Sequence, residues 1–205
     1  MTDFFEPPPP PQRPEPEGHR RPAWLGPPDN ELGVAVPTRL ELVRTENLAL
    51  AVLDLVAFSN GCIFDVAIRR RHPQKGGSPF HPFHDHGGWQ PDALHFGLQF
   101  ADGAKATLDR AMWEHGPDAT PKGPMLMPHG GGGGARSWNM NMWLWPLPPP
   151  GPLAFVCEWQ SESVALMREE IDAGSILDAA SHVKQLWADD GEAGGAKVIV
   201  NFGKD

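Results

Sequence analysis

The chain has no tyrosine, two cysteines and no apolar run approaching the roughly 20 residues that a membrane-spanning helix needs. A helical membrane span is therefore excluded. Cys62 and Cys157 are too few for a disulfide scaffold or for a structural zinc site of their own. Positive charge is also short: 17 Lys and Arg stand against 26 Asp and Glu, a formal net charge of −9. Phosphate backbones and anionic membranes repel such a chain, so neither nucleic acid nor a membrane surface is an expected partner. One local basic run, Arg69, Arg70, Arg71, His72 and Lys75, reads as a solvated strand end followed by a loop. There is no Gly-x-Ser-x-Gly, P-loop, dinucleotide-binding glycine fingerprint, His-Glu-x-x-His or Cys-x-x-Cys. The start, Met1 to Glu6 and then five prolines, has neither a basic n-region nor an apolar h-region. No signal peptide is expected, and the expected compartment is the cytoplasm, where both cysteines stay reduced.

What the chain has in excess is glycine (23) and proline (24) among 205 residues. That is about twice their usual joint share of roughly 12%. It excludes an all-helical fold, since both residues break helices, and no G-X-Y period points to collagen. The hydrophobic share is 40%, with eight tryptophans, which argues against disorder throughout.

Residues 1–30 hold ten of the prolines and read as a disordered, extended arm. Within it, Trp24 and Leu25 have apolar area to bury, either on the body of the protein or in a partner. From residue 36 the hydrophobic period becomes two. Residues 48–58 are apolar on both faces except for Asp54. Ser59-Asn60-Gly61 marks a hairpin turn, after which Cys62, Phe64, Val66 and Ile68 face one way. Residues 72–92 read as a long loop. Leu94, Phe96, Leu98 and Phe100 alternate with His95, Gly97 and Gln99, and 104–110 runs back. Residues 111–122 are irregular, 124–127 suit a short strand, and the glycines at 130–134 read as a flexible loop. Trp138, Met140, Met142 and Leu144 then alternate with Asn139, Asn141, Trp143 and Trp145. Leu153, Phe155, Cys157 and Trp159 line the inner side of the next strand, and 163–171 gives a weaker one.

Up to nine short strands with Gly/Pro turns predict a mainly β domain at 31–187. Its expected form is an antiparallel β-sandwich, immunoglobulin-like or jelly-roll-like, with one C-terminal helix. That helix is expected at about 174–187, capped by Asp172 and striped by Ile176, Leu177, Ala180, Val183 and Trp187. Residues 188–205 read as a flexible tail in which Val198 and Val200 belong to a possible short strand.

Four groups of residues are candidates for chemistry. His84-x-His86, with His95 or His129, supplies imidazoles suited to a divalent transition metal. Asp54 and Asp65 are carboxylates within apolar strands, open to a general acid/base reading or to pairing with a neighbouring strand. Cys62 and Cys157 fall on inward faces and suit small core positions. Trp143 and Trp145 share an outward face, expected to lie under the C-terminal helix or to serve as a carbohydrate platform.

Two resemblances follow. The segment around His84 and His86 resembles part of the first cupin motif. Gln90 stands where that motif has a metal-ligating Glu, Ser78 replaces its opening Gly, and Gly133 stands at the expected His of the second motif. The likeness implies a metal-dependent enzyme. The order of Pro27-Pro28-Asp29-Asn30-Glu31-Leu32-Gly33-Val34, Gly151-Pro152-Leu153-Ala154-Phe155-Val156-Cys157-Glu158-Trp159 and the Ile176–Trp187 stretch resembles a group of bacterial proteins from high-GC genomes. That likeness implies no activity and carries over no site residue.

The expectation is a non-enzymatic cytoplasmic protein-interaction or accessory module with no cofactor, its partner contacts made by Trp24, Leu25, Val198 and Val200. A cupin-like metal enzyme is the alternative, and a carbohydrate-binding module a further one.

Overall fold

A computed structural model of the chain describes residues 22–73, 93–108 and 121–187. A 3-10 turn, Ala23–Leu25, opens them. The strands that follow are β1 (Glu31–Leu32), β2 (Val34–Arg44), β3 (Leu48–Ala57), β4 (Cys62–Arg70), β5 (His95–Gln99), β6 (Lys105–Thr107), β7 (Met125–Gly133), β8 (Ser137–Trp145), β9 (Pro152–Trp159) and β10 (Val164–Asp172). A second 3-10 turn, Gln160–Glu162, separates β9 from β10, and helix α1 (Gly174–Ser181) and β11 (Lys184–Gln185) close the described chain.

The strands form a five-stranded sheet in the order β2-β3-β4-β8-β7, a four-stranded sheet in the order β10-β9-β5-β6, and a small β1-β11 ribbon. Every pairing is antiparallel. The two larger sheets meet through one apolar core, and the fold is an antiparallel β-sandwich. Phe64 of β4 meets Phe155 of β9 edge-on at 5.3 Å between ring centroids, and its ring lies 6.3 Å from that of Phe96 of β5.

Alternation places the side chains as the sequence predicts. Cys62, Phe64, Val66 and Ile68 are fully buried, and the next residue of each pair on β4 faces outward, as a pleated strand requires. The Ser59-Asn60-Gly61 turn closes the β3–β4 hairpin, with the Phe58 amide donating to the Gly61 carbonyl over 2.8 Å. Arg70 ties the two sheets together. Its guanidinium pairs with Glu162 and lies 5.5 Å from the centre of the Trp159 ring.

Four expectations are corrected. Residues 130–133 are not a flexible loop: Gly130, Gly131, Gly132 and Gly133 of β7 pair with Asn141, Met140, Asn139 and Trp138 of β8. A Cβ at Gly133 would sit 2.1 Å from the Ser137 carbonyl oxygen, and one at Gly131 would sit 2.4 Å from that of Asn139. Missing side chains are what let β7 lie so close against β8.

The helix stops at Ser181 rather than 187. Beyond it, Lys184 and Gln185 pair with Leu32 and Glu31, and the Leu186 amide donates to the Asn30 carbonyl over 2.8 Å. Sheet pairing thus takes the backbone groups that a longer helix would have used. The N-cap is Ala173, without a side-chain cap bond, rather than Asp172, which sits one residue earlier and accepts from the Gly174 amide over 2.9 Å.

Strand β3 is interrupted. Asp54 has φ of 51°, a left-handed conformation that Asp tolerates better than most residues. The register with β4 shifts between Leu53 and Val56, so Asp54 is an exposed bulge residue rather than one inside an apolar strand.

The N-terminal arm also ends earlier than residue 30, because Trp24 is buried on the body. Residues 1–21 of the arm and the tail with Val198 and Val200 lie outside the described residues, as do 74–92 and 109–120.

Candidate functional site

The expected metal ligands do not assemble among the described residues. His84 and His86 lie outside them. His95 is half-buried on β5 of the four-stranded sheet, in register with Glu158. His129 is exposed on β7 of the five-stranded sheet. Among the described residues no group of three or more His, Cys, Asp or Glu side chains is placed to hold a metal ion.

Cys62 and Cys157 point into the common core from opposite sheets, and both are free thiols. Burial pushes Cys62 up to about 12 and Cys157 up to about 11. A nucleophilic cysteine needs the opposite shift, so at neutral pH both are inert core residues.

The outer face of the five-stranded sheet carries a polar chain of three residues. Arg69 donates to the Asn139 side-chain oxygen over 2.7 Å, and to the carbonyls of Ile68 and Trp138. With its oxygen taken by Arg69, Asn139 turns its NH2 group to Asp65 Oδ2. Asp65 is the buried charged residue of the described chain, 7% exposed, and its Oδ1 accepts no hydrogen bond there. Burial raises its carboxyl above the usual range, partly opposed by the Asn139 bond. The Asp54 carboxylate raises it further and Arg69 lowers it. One carboxylate is thus sealed under Asn139 while the other stands in solvent. The basic run seen in the sequence is largely engaged as well: Arg69 by Asn139, Arg70 by Glu162, and Arg71 by Glu46 at 4.0 Å.

The aromatic face is covered, but not by the helix. Trp143 is fully buried, while Trp145 is half-buried. The cover is the N-terminal turn, whose Trp24 is 7% exposed and packs with Met125, Met127 and Trp143, flanked by Leu25, Phe58, Ile63 and Trp145. The Trp143 Nε1–H donates to the Trp24 carbonyl over 3.0 Å, and Phe58 meets Trp143 edge-on at 6.1 Å. The Asn60 side-chain NH2 donates to the Ala23 carbonyl and pins the same turn. Helix α1 instead packs against β2 and β3, where Ile176 and Ala179 complete the main core. Trp143 belongs to a separate apolar cluster and is left to the turn. The ring faces a carbohydrate would need are thereby largely used up within the protein.

One open surface lies on β10; Leu32, Leu186 and Trp187 are also exposed, at the β1–β11 ribbon. Strand β10 is the edge of the four-stranded sheet, and among the described residues no strand pairs with its outer side. Residues 165–170 are all exposed, including Leu166 at 68% and Met167 at 37%. Edge strands carrying large exposed apolar side chains are templates for pairing with another chain. Sequence reading missed this site because 163–171 lacks clean alternation. The usable signal was the Leu166-Met167 pair running directly into the charged Arg168-Glu169-Glu170. Compared with protein-family models, with curated proteins and with solved structures, the chain shows no match in any of the three.

Proposed function

We propose that the chain is a non-enzymatic protein-interaction or accessory module that takes an extended segment of a partner protein along its β10 edge. The observation that carries this reading is the exposure of Leu166 and Met167 on a strand with one side unpaired. Strand addition draws affinity from backbone hydrogen bonds and specificity from alternate side chains, and β10 offers both. Of the four expected contacts, Trp24 and Leu25 pack with Trp143, and Val198 and Val200 lie outside the described residues. A cytoplasmic setting fits two core thiols with no disulfide between them, and no helix of the described residues is long and apolar enough to cross a membrane.

The test is affinity capture with the intact chain and with a Leu166→Lys/Met167→Lys double variant, after both are shown to fold. A partner held by the intact chain and lost by the variant is expected. Identical partners on both would overturn the assignment to β10.

A further inference from the structure

The charges on β10 specify the segment it would accept. Arg168 is already satisfied: its guanidinium bonds Glu170 at 2.9–3.0 Å and the Gln99 side-chain oxygen at 2.7 Å. Glu169 forms no ion pair among the described residues, although it is exposed. Its register partner is Phe155 and that of Met167 is Cys157, both core-facing residues of β9. Glu169 and Met167 therefore share one face of the sheet, two residues apart. An added strand puts its side chains directly opposite these, about 4.5–5.5 Å away between Cβ atoms. Every strand pairing among the described residues is antiparallel. A strand running antiparallel to β10 passes Glu169 before Met167.

We infer that the β10 edge selects an extended partner segment of the pattern basic–x–apolar, its Lys or Arg opposite Glu169 and its apolar residue opposite Met167. This rests on the reading of β10 as the docking edge and adds the chemistry of what docks. The basic side chain neutralises Glu169, since Arg168 takes Glu170 and Asp172 at the strand end accepts from the Gly174 amide. The apolar one covers Met167. The formal net charge of −9 draws such a segment in and disfavours an acidic one.

The test measures binding of two fluorescein-labelled peptides to the full chain at low salt. One is Ser-Thr-Lys-Thr-Ile-Thr-Val-Ser, and its twin has Glu in place of Lys. Changing an attractive cross-strand pair into a repulsive one predicts roughly fivefold to tenfold tighter binding of the Lys peptide. Glu169→Lys should reverse the order. Equal affinities, no binding of either peptide, or a preference that survives Glu169→Lys would overturn the inference. If the peptides bind without charge preference yet lose binding to Met167→Lys, the docking edge stands and only its selectivity falls. If binding also survives Leu166→Lys/Met167→Lys, both fall. A dimer that Met167→Lys dissolves would assign the edge to a second copy and likewise overturn it.

Discussion

The indole N–H of Trp143 donates to the backbone carbonyl of Trp24 over 3.0 Å, across 119 positions of sequence. A tryptophan buried on the outside of a sheet needs both an apolar cover and a partner for its polar tip. The turn at Ala23–Leu25 supplies both at once. It is short, yet it closes the outer face over Met125, Met127 and Phe58.

Trp24→Ala should therefore cost about 3 kcal/mol, within the range for deleting a large buried aromatic. Urea denaturation at pH 7 measures it. Both variants keep the backbone carbonyl that Trp143 binds, but Trp24→Phe also keeps most of the apolar area and should cost about half as much or less. A loss below about 0.5 kcal/mol for the alanine variant, the size of an ordinary surface change, would show that the turn contributes little to the fold.

Asp65 gives a pH prediction. Its carboxyl is raised in the folded protein, chiefly by burial. Between the unfolded value of 3.8 and the folded one, the native state holds the proton more tightly, so stability declines as pH rises through that window. Above the window the buried charge costs stability throughout. Asp65→Asn keeps an oxygen for Asn139 and should be more stable than the parent at pH 7, with the gap closing as pH falls toward 3.8. Denaturation midpoints at several pH values test this; a gap that widens on acidification would reverse the sign of the argument.

The glycines of β7 differ from one another in a testable way. A Cβ at Gly132 meets nothing within 4 Å, whereas one at Gly133 meets the Ser137 carbonyl at 2.1 Å. Gly133→Ala should cost about 1–3 kcal/mol through overpacking. Gly132→Ala should lie within about 0.5 kcal/mol of the parent. Thermal unfolding of the two variants separates them, and equal behaviour would mean that β7 does not lie so close to β8.

The thiols predict a reactivity pattern. With Cys62 pushed to about 12 and Cys157 to about 11, the folded chain should resist a thiol reagent such as dithionitrobenzoate at pH 8. Both should react in denaturant. One fast-reacting thiol in the native protein would show that a core strand opens readily.

The sandwich was legible in the sequence wherever side chains alternate beside a turn residue. Phe64, Phe96 and Phe155 declare their faces this way, and Asn60-Gly61 declares its turn. The glycine half of β7 has no side chains to alternate, so periodicity is silent there and only the partner strand reveals it. Residues 183–187 suit a helix stripe and a strand equally, and the choice was made by β1, whose Leu32 pairs with Lys184 from the far end of the chain. Parity showed which face Trp143 occupies but not that Trp24 covers it, since a cover is a tertiary fact. The β10 edge was obscured for a related reason: periodicity detects what is buried, whereas Leu166 and Met167 matter because they are not.

Strand β7 joins two unlike halves. Met125, Leu126 and Met127 are buried, while 128–133 are exposed and end in four glycines that bury no apolar side chain. Opening that second half sacrifices backbone hydrogen bonds but exposes almost no new apolar surface, and it returns to glycine the widest conformational freedom of any residue. Its amides should exchange with solvent deuterium well before those of Met125–Met127, through a local opening that leaves the rest of the sandwich closed.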